Sequence, residues 1–132
     1  MALARKNRRR RSAFTLMEVL IVMAIIVIIV SLGGVSVFRA YEDAKESAAQ
    51  TTAHSLAQAA ALYNVHFKNY PDSLQQLVSP PDGHEAYIDP NSLIDPWGGQ
   101  FQYDASGKNN GGRKPDVWTT SKNGKTIGNW TQ

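Results

Sequence analysis

Between residues 12 and 38 polar positions nearly vanish, and Glu18 is the only ionisable side chain in the stretch. Such a run exceeds the roughly 20 apolar residues needed to span a bilayer as a helix. From Arg39 the pattern changes. Arg39, Glu42, Asp43, Lys45 and Glu46 give a water-side composition still rich in helix formers, and no Pro occurs before Pro71. Leu56, Ala59, Ala60, Tyr63, Phe67 and Tyr70 then recur at helical spacing and define one core-facing stripe, with Gln58, Asn64 and Lys68 off it. The pattern predicts one continuous helix from Phe14 to about Asn69, rising roughly 80 Å at about 1.5 Å per residue. Gly33 and Gly34 lie inside its apolar half, where each costs about 1 kcal/mol relative to Ala. They provide either flexibility or close helix packing.

Asn69-Tyr70-Pro71 turns the chain out of helix, because the residue before Pro avoids the α region. Asp72-Ser73-Leu74-Gln75 reads as a capping box with Asp72 as N-cap, opening a short helix that buries Leu74, Leu77 and Val78. Ser79-Pro80-Pro81-Asp82-Gly83 ends it. Strands are predicted at Gln100 to Tyr103 and Pro115 to Thr120, separated by a polar connection over Asp104 to Gly112. An Asn-Gly turn within Ser121 to Thr126 leads into a third strand ending near Trp130. The fold class is α+β. The organisation read from the chain is 1–13, a basic leader; 14–38, an apolar helix; 39–70, its soluble continuation; and 71–132, a small globular domain.

Charge sharpens the role of the leader. Arg5, Lys6, Arg8, Arg9, Arg10 and Arg11 are six of the fourteen basic residues, and the rest of the chain carries eight basic and eleven acidic residues, a net of −3. The positive-inside rule holds the basic end in the cytoplasm and points the remainder outward. A secretory signal also begins basic, but its apolar core is about 7 to 15 residues long and precedes its cleavage site. Here the core is long, and the small residue, Ala13, comes before it. The Arg run has no interleaved aromatics and the remainder is acidic, so nucleic acid is not expected as a partner. With 132 residues there is room for one small domain besides the helix, and the absence of Cys excludes disulfides and thiolate metal sites.

Little in the sequence suggests catalysis. There are no paired carboxylates, nucleophile elbow or phosphate loop. His54 and His66 are twelve apart with no carboxylate or thiol at ligand spacing, so neither is expected to hold a metal. Glu18 stands out instead. An ionised side chain in hydrocarbon costs about 2.5 to 3.5 kcal/mol or more, so it requires a partner.

Ala13 followed by Phe14-Thr15-Leu16-Met17-Glu18 resembles the class III signal of type IV pilins and pseudopilins. Ala13 stands where that family nearly always has Gly. The resemblance implies cleavage between Ala13 and Phe14 by a prepilin peptidase, N-methylation of Phe14, and retention of the apolar helix as an anchor. Tyr70-Pro71 with Leu74 and Leu77, and Asp95-Pro96-Trp97-Gly98 with Phe101 and Tyr103, resemble the major, G-type pseudopilin of type II secretion systems. Pro96 fixes φ, Gly98 permits a tight turn, and Trp97 can cover an edge of a small sheet, which gives this motif a structural reading.

The resemblance implies a pilin-like fold in the bacterial inner membrane, single-pass, with its C-terminal domain in the periplasm and no enzymatic activity. Its partners would be further copies of itself in a filament, minor pseudopilins, the prepilin peptidase, the inner-membrane assembly platform and membrane lipid. Glu18 of one subunit would meet the amine of Phe14 on a neighbour. Because burying either charge alone is costly, the pair would reward one stagger over others. A calcium loop near the C-terminus is implied as well. The corresponding stretch, Ser121 to Trp130, has two Lys and no acid, and Asp116 and Asn123 are the remaining oxygen donors of note, so calcium is not expected. Two alternatives stay open: a type IV or competence pilin, and a membrane-anchored domain that never polymerises.

Overall fold

The computed structural model describes residues 14–131. The basic leader with Ala13, and hence the expected cleavage site, lies outside the described residues. The elements are α1 (Leu16–Phe67), α2 (Gln75–Val78), β1 (Gln102–Asp104), β2 (Asp116–Thr120) and β3 (Thr126–Gly128), with short 3-10 turns at Pro81–Gly83, Pro90–Leu93 and Lys108–Asn110. The chain divides into two compact units, one ending at Arg39 and the other spanning Ala40–Gln132.

In the first unit, α1 is apolar on every face. Val27, Ile28, Ile29 and Val30, successive positions turned by about 100° around the helix, are each more than half exposed. A helix that is hydrophobic all round needs burial on all sides. Within α1 the chain is long and apolar enough to cross a membrane. Its hydrogen-bonded backbone runs through Gly33 and Gly34, and a Cβ at either position would meet open space.

The second unit has one core. From α1, Ala49, Ala53, Leu56, Ala57, Ala60 and Tyr63 are buried together with Leu74 and Leu77 of the α2 region and Phe101, Val117 and Ile127. The expected stripe is present and reaches further back along the helix, through the small residues Ala49, Ala53 and Ala57. Alanines suit this face because their short side chains leave room for larger ones from the facing chain. Phe67 and Tyr70, at the stripe's end, are half-buried against the same cluster. Tyr63 stacks on Phe67 with ring centroids 4.4 Å apart.

The sheet is an antiparallel meander ordered β1-β2-β3, with Tyr103 opposite Val117 and Thr119 opposite Ile127. The three strands fall where the alternation pattern places them. Their bounds shift: β1 begins at Gln102 rather than Gln100, which makes only an isolated bridge to Ile94. β3 stops at Gly128, because the Asn129 side chain turns inward and accepts from the Val117 N–H.

Two helix ends differ from expectation. First, α1 stops at Phe67, since Lys68 adopts φ 64° while its N–H closes on the Asn64 carbonyl at 2.8 Å. The left-handed region disfavours a side chain with a Cβ. Lys68→Gly should therefore raise stability by about 1 kcal/mol, read as a shift of the urea midpoint for the detergent-solubilised chain. Second, the box at Asp72 is displaced by one residue. No side chain caps α2. Instead, the Asp72 N–H donates to Gln76 Oε1 at 3.0 Å and Gln76 Nε2 donates back to Asp72 Oδ2 at 3.5 Å. Leu74 and Leu77 are buried as expected, but Val78 is only half-buried.

Candidate functional site

At the start of α1, Thr15 and Glu18 cap each other. The Thr15 N–H and hydroxyl donate to Glu18 Oε2 at 3.1 and 3.2 Å, and the Glu18 N–H donates to Thr15 Oγ1 at 3.2 Å. This is a reciprocal capping box, with Thr15 as N-cap and Glu18 at the third helical position. Its signature, Thr-x-x-Glu, stands in the sequence at the start of the apolar run. The geometry fixes the carboxylate at the helix N-terminus, where the macrodipole favours an anion. Both Thr15 donors fall on one oxygen, and no described residue donates to Oε1. Phe14 lies beside this box and is 82% exposed.

A second constellation is built on Asp95-Pro96-Trp97-Gly98. Asp95 Oδ1 accepts from the Trp97 and Gly99 amides at 2.8 and 2.9 Å, and Oδ2 accepts from the Thr119 hydroxyl of β2. The turn closes through Gly98 N–H to the Asp95 carbonyl at 3.0 Å, with Gly98 at φ 89°, a conformation that favours Gly. Burial pushes the Asp95 carboxyl up, but the Thr119 hydroxyl and then the Gly99, Trp97 and Gly98 amides outweigh it and leave it below the usual carboxylate range. Trp97 is half-buried against the core, and its indole N–H donates to Glu42 Oε2 of α1 at 3.0 Å. The motif thus joins sheet to helix rather than only covering an edge.

Asp116 and Asn123 are not brought together. Asp116 opens β2 and is buried, whereas Asn123 lies exposed in the turn after the other end of that strand. The turn itself is tight: Ser121 N–H donates to the Lys125 carbonyl at 2.9 Å and Gly124 N–H to the Ser121 carbonyl at 2.9 Å. Lys125 Nζ meets Glu46 Oε2 at 2.6 Å, and this hydrogen bond, then the charge of Glu46, raises the ammonium's pKa. The turn therefore holds an ammonium, and both Asp116 oxygens accept from N–H donors. Among the described residues no group of three or more His, Cys, Asp or Glu could hold a metal ion. His54 is exposed, and His66 Nδ1 instead hydrogen-bonds the Tyr87 hydroxyl at 2.6 Å.

A capped, fully apolar helical segment continuing into a small α+β domain defines a class: pilin-like subunits carrying an N-terminal methylation signal. Residues 8–34 match the model of the prokaryotic N-terminal methylation motif. Residues 36–131 match the model for type II secretion system protein G. The chain belongs to the type II secretion system protein G family. It is similar to the type II secretion system core protein G of Pseudomonas aeruginosa, 29% identical with 94% of this chain and 98% of the relative covered. The core protein G of Vibrio cholerae is 29% identical, with 95% of each chain covered. That of Aeromonas hydrophila is 28% identical over 94% of this chain and 95% of the relative.

Proposed function

We propose that this chain is the repeating subunit of a periplasmic pseudopilus that drives type II secretion, and that its work is mechanical rather than catalytic. The observation that carries the reading is the capped Glu18 at the head of an all-round apolar helix. In the bilayer each subunit sits with this helix in lipid, its basic end cytoplasmic and its C-terminal domain periplasmic. Removal of residues 1–13 frees the amine of Phe14. When helices pack side by side, that amine meets Glu18 of a neighbour through Oε1, while Oε2 stays on Thr15. Each charge is then paired only in one stagger, and the apolar positions from Val19 to Val30 pack around it. A membrane platform and minor pseudopilins would start the fibre and extract subunits from lipid.

Complementation tests this reading. In a secretion-competent host lacking its own major pseudopilin, expression of this chain should move exoprotein from the periplasm to the medium. Exoprotein that stays periplasmic, with this chain present and processed, would contradict it.

A further inference from the structure

Where the 3-10 turn Lys108–Asn110 meets the start of β2 and the chain just after β3, three oxygen acceptors converge on one nitrogen. Asn110 Nδ2 lies 2.6 Å from Asp116 Oδ1, 3.1 Å from Asn129 Oδ1 and 3.4 Å from the Pro115 carbonyl. The other Asp116 oxygen accepts from the Asn109 N–H and side-chain amide at 2.8 and 3.0 Å. Asn129 in turn donates to the Pro115 carbonyl at 2.9 Å and accepts from the Val117 N–H at 3.1 Å. Asp116 and Asn129 are 1% and 2% exposed, so a carboxylate charge is enclosed with only amide donors around it.

We propose that the Asn110 side-chain amide occupies the place a cation would take in this cradle, so that the domain closes without a divalent ion. The backbone is built to deliver it. Asn110 ends the 3-10 turn Lys108–Asn110, which lies between two left-handed glycines, Gly107 at φ 60° and Gly111 at φ 64°. A Cβ on Gly107 would lie 2.0 Å from the Lys114 carbonyl oxygen, so the loop can lie this close only with Gly there. Calcium would need six to eight oxygens, whereas the Asn110 nitrogen satisfies the three acceptors here with two hydrogens, the longest contact being the weakest. The outer turn has its own positive charge, the Lys125 ammonium on Glu46. This closure belongs to the fold of the domain and is independent of the secretion reading.

All three Trp residues, Trp97, Trp118 and Trp130, lie in this domain, so Trp fluorescence of the full chain in detergent reports its unfolding. The wild-type Tm should be the same in millimolar calcium and in chelator. A calcium site filled at about a hundredfold its Kd would raise Tm by about 10 °C or more, and such a rise would overturn the proposal. Asn110→Asp keeps the shape and sets a carboxylate against Asp116, so in chelator its Tm should fall by about 5 °C or more. If Asn110→Asp yields no folded protein, Asn110→Ala, which removes the donor without adding charge, should show a smaller fall. A wild-type Tm in whichever variant is measured would contradict the assignment.

Discussion

Glu18→Gln is expected to leave the chain processed and inserted in the membrane but unable to polymerise. Gln serves the third position of a capping box as Glu does, so the bonds to Thr15 and the start of α1 survive. What disappears is the anion. The neighbour's Phe14 ammonium would then be buried without a counter-charge, and breaking a buried pair in this way costs about 3–5 kcal/mol. At each subunit contact that is about a hundredfold or more in association constant, enough to empty a filament that depends on many such contacts in series. The measurement is a cross-linking ladder, or the length of sheared fibres, beside an intact mass showing normal processing. Wild-type fibres from Glu18→Gln would remove the register role from this residue.

Asp95→Ala should have the largest effect on the fold itself. It strips the acceptor from the Trp97 and Gly99 amides and from the Thr119 hydroxyl, all in a part-buried or buried setting. Unsatisfied donors cost about 1–3 kcal/mol each, so a total of about 3–5 kcal/mol is expected, a large share of the about 5–15 kcal/mol typical of a domain. Asp95→Asn should lose much less, because Oδ1 can still accept from both amides while the new Nδ2 donates to the hydroxyl. The same carboxyl sets an acid limb. Its folded pKa is depressed, so its contribution is present above the unfolded value of about 3.9 and is lost as pH falls through the folded one. Thr119→Val removes one of the depressing bonds and should move that loss to higher pH. Urea midpoints across pH 2 to 6 check the series, and an Asp95→Ala midpoint equal to wild type would refute the role given to this turn.

What could be read in the sequence divides by range. The apolar helix, Glu18, the stripe through Leu56, Ala60 and Tyr63 and the three short strands are local patterns, each carried by residues a few positions apart. The contacts that the sequence concealed are long-range. Trp97 and Glu42 are 55 residues apart, Asp95 and Thr119 24, and Asn110 and Asn129 19. No periodicity marks such pairs, because only the closed chain brings them together. The Asp72 box failed for a different reason. Gln75 and Gln76 are chemically equal, and backbone placement decides which one answers Asp72. Lys68 in a left-handed conformation is also invisible to propensity, which expects Gly at such a position.

In the filament proposed above, register would depend most on the Phe14 amine, since without it Glu18 would have no charged partner in a neighbour. The measurement that tests this most directly is the intact mass and N-terminal sequence of the chain recovered from membranes of a host with a prepilin peptidase. A mature chain that begins at N-methylated Phe14 is the expected result. A chain that keeps residues 1–13 would contradict it and leave a static, membrane-anchored domain in its place.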